Sequence, residues 1–323
     1  MEKYIKKIVI ICDVLALIAL TIFYGPWDFF RSWYITTAMS TSTHKYLAYM
    51  LYDTDTINEI LSSNIFTAVD QSSDPDLITF TTDETNLSEL EKQILDNQNN
   101  DPYKIIEING GYYTGWITVI YDATRLSLVV SKDRDGNTVS EMAEDYNALV
   151  AVNGGGYVEK RNSQASAGGL VVDGEVYCES YDTEEVIALT QDGKLLLSYS
   201  TVQDVAEDED VLWALHFSPF LIVNGQSGSI SGNAGGNHPR TAIGQREDGI
   251  IILLTVDGRG SNGSFGINYE EMINIFENCG CINAANLDGG GSTTLYADGQ
   301  VINDPSNRGR DSEREVYNAL IYV

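Results

Sequence analysis

The sequence is poor in the residues that most often carry metal, redox or nucleic-acid chemistry. Histidine occurs three times in 323 residues, at His44, His216 and His238, and cysteine four times. Four cysteines are too few for a disulfide scaffold. Cys12 lies in the first apolar segment, Cys178 stands alone, and Cys279 and Cys281 form a C-x-C. A structural zinc site takes C-x-x-C pairs or neighbouring histidines, and the sequence has neither. Pairing among Cys178, Cys279 and Cys281 is left unassigned. Basic residues are also scarce: 19 Lys and Arg stand against 47 Asp and Glu, a formal charge of −28. Beyond the first seven residues no stretch is basic enough to follow a phosphate backbone, which argues against nucleic acid as a partner. The acidity serves solubility first. It also fits a partner that is not strongly anionic, or one whose phosphate meets a local arginine. No G-x-S-x-G nucleophile elbow is present, and no lysine follows the glycine runs as in a nucleotide P-loop.

What is present begins with "MEKYIKK", followed by seventeen mostly apolar residues, 8–24, and then by Trp27, Phe29 and Phe30. That length sits at the short limit of a membrane span. Lys3, Lys6 and Lys7 place the N-terminus in the cytoplasm, with the aromatics at the far interface. Asp13 inside the segment is costly, about 2.5–3.5 kcal/mol at a helix centre. No A-x-A site follows the apolar core, which favours an uncleaved anchor over a signal peptide. Residues 1–30 are therefore expected to be a cytoplasmic tip and transmembrane anchor in the plasma membrane, with the rest of the chain outside the cell.

Residues 31–65 place Leu47, Met50, Leu51, Ile57, Ile60 and Leu61 at helical spacings and predict a membrane-proximal helix. Residues 66–102 are polar and acidic, an expected linker with a short helix around 87–95. From Tyr103 the sequence changes to alternating runs rich in Ile, Val, Tyr and Thr with turn residues between them. Residues 103–323 are expected to form one catalytic domain of the α+β class, a β-rich mixed sheet with a few helices.

Within it, "IIILLTVDGRGSNGSFGINYEEMINIFENCGCINAANLDGGGS" reads as strand, loop, helix, strand. Such a unit sets its two strands parallel. Asp257 and Asp288 then both lie just beyond strand carboxyl ends, the edge at which open sheets bind ligands. Two carboxylates on adjacent or next-adjacent strands would stand about 5–10 Å apart, the range of glycoside-cleaving pairs. Asp-Gly is also ordinary turn chemistry; the repetition, each Asp followed by Gly-rich sequence after an apolar run, favours function. Gly258, Gly260 and Gly263 spell G-x-G-x-x-G, but the helix begins only near Asn268, too far on for a dinucleotide site. "GGNHPRTAIGQ" brings His238, Arg240 and Thr241 to the start of a strand, and arginine suits phosphate or carboxylate. "VAVNGGGY" places Asn153 at another strand end. A divalent metal such as calcium or magnesium, held by Asp257, Asp288 and carbonyls, is compatible with this set, and its presence is left open.

Taken together, "YYTGWITVIYDATRLSLVV", "VSEMAEDYNALVAVNGGGY", "AGGLVVDGEV", "SPFLIVNGQ", "HPRTAIGQREDGIIILLTVDGR" and "NAANLDGGGSTTLY" resemble, in this order, the phosphodiester glycosidase family. The resemblance covers roughly residues 103–323. It implies hydrolysis of a sugar-1-phosphodiester at the glycosidic C1–O bond, leaving a phosphomonoester. Matched by position, it implies Asp288 and Asp257 as catalytic residues, with Asn153, Arg240, Thr241, Arg259 and Asn286 binding substrate. Gly289, Gly290, Gly291, Ser292 and Thr293 would hold the phosphate with Arg240. The family includes the enzyme that uncovers mannose 6-phosphate, whose cysteine-rich modules are missing here, and bacterial members labelled as exopolysaccharide-biosynthesis proteins. The expected substrate is thus a bacterial cell-surface glycan or sugar-phosphate polymer, an associational step because family does not fix substrate. Two rivals remain: a glycosidase for neutral glycans, for which Arg240 is dispensable, and a non-catalytic polysaccharide-binding or assembly protein. The sequence leaves the oligomeric state undetermined.

Overall fold

The computed structural model describes residues 2–41, 44–82, 85–160, 163–208, 210–307 and 310–323. These form two compact units. The smaller comprises residues 1–66 with 230–237, and the larger residues 67–229 with 238–323.

The smaller unit is helical. Glu2–Tyr24 is one helix, long and apolar enough to cross a membrane, and its apolar window is wholly unburied within the protein. Residues 31–65, expected as one helical stretch, contribute three helices: Asp28–Met39, Tyr46–Leu51 and Thr54–Ser63. The last begins where Asp53 accepts a hydrogen bond from Thr56 N at 2.8 Å, an N-cap that restarts the helix. Ile35, Ala38, Ala48, Tyr52 and Ile57 form their core, and Met50, on the predicted apolar face, is exposed. Residues 230–237 pack here too: Asn233 Nδ2 donates to Thr36 Oγ1 and Ser231 N to Ile65 O.

The larger unit is built of antiparallel strands with a few helices, as the α+β expectation requires. A seven-stranded sheet runs Gln226–Ser227, Phe220–Val223, Cys281–Asn286, Arg240–Arg246, Ile251–Val256, Thr114–Ile120, Tyr103–Asn109. A five-stranded sheet runs Gln300–Val301, Leu295–Ala297, Val150–Asn153, Asn318–Tyr322, Leu126–Val130. A third sheet of five strands is centred on Glu184–Thr190 and Val211–His216. Among the described residues, neighbouring strands in all three sheets are antiparallel.

The central strands explain their composition. "IILLTV" at Ile251–Val256 is buried at every position, so apolar residues and threonine occupy both faces rather than alternating. Trp116, Leu128, Val152, Trp213, Phe220, Leu253 and Tyr322 belong to the core shared by these sheets. Trp213 satisfies its indole N–H on Leu126 O at 2.8 Å, as a buried indole must. The helices are fixed by their ends: Thr138 and Glu141 make a capping box for Val139–Asp145, and Ser88 and Glu91 one for Glu89–Leu95. Residues 67–102 belong to this unit despite their polarity. Ser73 N donates to Leu197 O, Thr79 N to Glu247 O and Ser88 Oγ to Asn278 O.

Candidate active site

Three strands bring the predicted residues to one edge of the seven-stranded sheet. Ile251–Val256 and Cys281–Asn286 are both antiparallel to Arg240–Arg246, which lies between them. They are therefore parallel to each other and next-adjacent, as the strand–loop–helix–strand reading expects. In this register Arg240 pairs with Val256 and Ala242 with Asn286. The start of the middle strand thus meets the ends of its neighbours, setting Arg240 and Thr241 between Asp257 and Asp288. Asn153, last in its strand of the second sheet, joins them through Asp288 N, which donates to Gly154 O at 3.1 Å.

Asp257 is almost fully buried, and both its oxygens are engaged. Asn303 Nδ2 donates to Oδ1 at 2.9 Å, Asn262 Nδ2 to Oδ2 at 2.8 Å, and Asp304 N to both oxygens. Burial pushes its pKa up, and the donors from Asn303, Asn262 and Asp304 oppose the rise. A carboxylate saturated by fixed donors is an organiser: it ties the 258–264 loop to the 303–304 turn.

Asp288 differs. It is half-buried, and its Oδ1 accepts Gly289 N at 3.0 Å. Burial raises its pKa, and Ser292, Arg314, the Gly289 N–H and Arg259 pull the other way. Ser292 lies close enough to act on this carboxylate, yet its hydroxyl makes no hydrogen bond of normal geometry. The first expected role of the glycines takes another form here. Gly289 N–H faces an anion, but that anion is Asp288's own carboxylate, and Gly290 N donates to Pro239 O at 2.9 Å. Gly290 sits at φ +64°, and a Cβ there would stand 2.9 Å from Nη2 of Arg259, so the glycine lets the guanidinium lie on the turn.

The other predicted residues divide between bracing and facing the site. Asn153 is a brace: Nδ2 donates to Asp288 O at 2.5 Å, and Oδ1 accepts Thr241 Oγ1 at 2.7 Å and Thr294 N at 3.2 Å. Arg240 is buried, with Nε donating to Ile267 O at 3.2 Å and Cζ 4.7 Å from the Tyr269 ring centroid. Burial lowers its pKa and Tyr269 partly restores it. The charges of Arg314 and Arg259 act on Asp288. Arg259, at φ +59°, is exposed as a residue and donates from Nη1 to Ser306 O at 3.4 Å. Desolvation of its head group and then the like charge of Arg314 lower its pKa, against Asp288. Asn286 donates from Nδ2 to Ser218 O at 2.9 Å. Its Oδ1 and the hydroxyls of Ser292, Thr293 and Thr294 are buried without a partner among the described residues. Unmade polar contacts of this kind cost about 1–3 kcal/mol each and gather where function constrains the chain.

Sequence reasoning missed Asn262, Asn303 and Arg314. Asn303 sits in an ordinary "NDP" turn, and Arg314 follows a polar stretch without periodicity, so neither carried a local signal. Among the described residues no three His, Cys, Asp or Glu side chains gather as metal ligands. The four cysteines are free thiols.

A sequence model of the phosphodiester glycosidase family matches residues 146–323, just over half of the chain. The chain belongs to this family. Among its relatives, the SPbeta prophage-derived uncharacterized protein YomE of Bacillus subtilis (strain 168) is 31% identical over 180 residues, 53% of this chain and 27% of that protein. The human N-acetylglucosamine-1-phosphodiester alpha-N-acetylglucosaminidase is 29% identical over 193 residues, 54% of this chain and 37% of that protein. The matches thus span well under half the length of these curated relatives. The zebrafish N-acetylglucosamine-1-phosphodiester alpha-N-acetylglucosaminidase catalytic domain, auto-inhibited by its pro-peptide, superposes with a TM-score of 0.56 at 23% identity, over 68% of this chain and 81% of that one. At that identity the likeness concerns the fold: this chain shares its architecture with that catalytic domain.

Proposed function

We infer that this chain hydrolyses the glycosidic C1–O bond of a sugar-1-phosphodiester in a cell-surface glycan or glycopolymer. The observation that carries the reading is Asp288: a half-buried carboxylate on a glycine turn at the sheet edge, beside the Arg259 guanidinium. Cleavage at C1 passes through an oxocarbenium-like transition state, which an adjacent carboxylate stabilises. Water adds to C1 and the C1–O electron pair leaves with the phosphate oxygen. The proton from water passes to Asp288 and on to solvent. The products are the free sugar and a phosphomonoester. A phosphate leaving group needs little protonation, which suits a site with one accessible carboxylate and a cation. Asp257, with its oxygens engaged, holds the loop that presents Arg259. Family membership and the name of the human relative, N-acetylglucosamine-1-phosphodiester alpha-N-acetylglucosaminidase, support the same reaction class. The helix Glu2–Tyr24 anchors the chain in the plasma membrane, with Lys3, Lys6 and Lys7 on the cytoplasmic side.

The test is turnover of a panel of sugar-1-phosphodiesters by the full chain in detergent micelles, read as release of free sugar, with Asp288→Asn beside it. Turnover lost in the variant supports the reading. No turnover on any member, with equal glycan binding by both forms, replaces it with a binding or assembly role. Turnover that survives in Asp288→Asn keeps the family reaction and removes Asp288 from the chemistry.

A further inference from the structure

The stretch "VAVNGGGY" sets three glycines after Asn153, and the contacts of the first two give the run a purpose. Gly154 N donates to Asn318 O at 3.1 Å, and Gly155 N to Asn318 Oδ1 at 2.7 Å. A Cβ on Gly154 would run into Oδ1 of Asn318, and one on Gly155 would stand 2.9 Å from His216 O. Neither glycine has a positive φ, so the missing side chains serve close approach rather than a turn. The run is pressed between Asn318, which opens the strand Asn318–Tyr322, and the backbone leaving Val211–His216. Asn318 is fully buried and belongs to none of the motifs that marked the site.

The segment so held grips Asp288 by both sides of its backbone. Gly154 O accepts Asp288 N at 3.1 Å, and Asn153 Nδ2 donates to Asp288 O at 2.5 Å. The C=O of Gly154 and the N–H of Gly155 are the two ends of one peptide group. In a planar trans peptide these ends point in opposite directions. Asn318 Oδ1 therefore holds one end of the group and Asp288 N meets the other, and each hydrogen bond polarises its partner. We propose that Asn318 is a positioning residue for Asp288, acting through the Gly154–Gly155 peptide. The proposal rests on the reading of Asp288 as the carboxylate acting at C1 and deepens it. The carboxylate branches from the same Cα whose backbone this peptide fixes, so a tilted peptide shifts it against C1. A displacement of about 1 Å costs a rate about 100-fold.

Amide hydrogen exchange of the full chain in detergent, read by mass spectrometry, is the first test. Asn318→Ala should speed exchange across residues 286–290 by about tenfold or more, the scale of one lost buried hydrogen bond. The strand Ile251–Val256 should exchange as in wild type, which separates local loosening from general loss of stability. Turnover of a sugar-1-phosphodiester is the second test: kcat should fall by about 10–100-fold with KM little changed. Gly154→Ala, whose methyl displaces the Asn318 side chain, should show both effects. Combined with Asn318→Ala it should add nothing further, because the truncated side chain makes room for the methyl. Exchange across 286–290 that is unchanged in Asn318→Ala, or raised equally in both segments, overturns the positioning role. So do losses that multiply in the double variant, and a wild-type kcat that persists while the turn loosens. Should Asn318→Ala fail to fold, Gly154→Ala decides: faster local exchange supports the relay and unchanged exchange overturns it. Local loosening in the variant with no diester turnover by wild type sinks the proposed reaction alone. Wild-type turnover without local loosening in the variant sinks the positioning role alone.

Discussion

Asn303 offers a direct test of how the site is held together. It is 7% exposed, and three groups depend on it. Its Nδ2 donates to Asp257 Oδ1 at 2.9 Å and to Thr293 O at 3.1 Å, and its Oδ1 accepts Leu295 N at 2.7 Å. Asn303→Ala removes a hydrogen bond to a buried carboxylate and leaves one backbone carbonyl and one backbone N–H without a partner. With about 1–3 kcal/mol for each of the three groups, the loss comes to about 3–9 kcal/mol. That is a large part of the roughly 5–15 kcal/mol that holds a domain folded. In a unit of this size about 1 kcal/mol moves the melting temperature by roughly 2–4 °C. Calorimetry of the full chain should therefore show the larger unit melting about 6 °C lower or more. A shift below about 3 °C would mean that water replaces Asn303 without loss and that Asp257 is not organised as argued. Asn303→Asp adds a pH signature. It sets a carboxylate against Asp257 Oδ1, so the folded pair holds a proton more tightly than the unfolded chain does. Stability lost at neutral pH then returns as pH falls through the raised folded pKa of the pair. A variant equally unstable at every pH would refute the contact.

Three further outcomes follow from the same geometry. Asp288→Asn should lower kcat by about 10²–10⁴ with little change in KM. Because burial raises the Asp288 pKa above its ordinary 3.8, wild-type turnover that needs the carboxylate should fail as pH falls through a limb lying above that value; a limb below it would contradict the assigned role. Gly290→Ala places a side chain at φ +64° and 2.9 Å from Arg259 Nη2, so urea melts should show a loss of about 1–2 kcal/mol, together with weaker phosphate binding; an unchanged variant would show that the turn has room to shift. Burial pushes the Cys279 thiol up to about 12 and Cys281 well above its usual value, so a thiol reagent at pH 8 should label neither in the folded chain and both in urea. Labelling of either in the native state would mean that the C-x-C is more open than described.

Much of the site's frame was legible in the chain because it rests on local patterns. Apolar runs ending in Asp-Gly mark Asp257 and Asp288 as strand-end residues, and one helix between two strands implies that those strands run parallel. The next-adjacent strands flanking Arg240–Arg246 bear this out. "VAVNGGGY" likewise placed Asn153 at a strand end. The six-motif order pointed to the family that the match over residues 146–323 shows. The polar composition of 66–102 reads as a linker, whereas the hydrogen bonds of Ser73, Thr79 and Ser88 hold that stretch on the larger unit. Composition reports what a segment cannot bury, not which backbone groups it pairs.

What the sequence by itself determined is therefore the set of backbone positions at the sheet edge, since hydrophobic period and glycine placement act within a few residues. What only the tertiary structure decided is where the side chains of those positions point and which distant residues meet them. Arg240 turns to Tyr269, Asn153 braces Asp288, and Asp257 is closed off by Asn262, Asn303 and Asp304. The charge of Arg314, from beyond the last motif, acts on Asp288. The physical reason is that charge and hydrogen bonding in a half-buried site are settled by neighbours across the fold, whose sequence separation leaves no local trace.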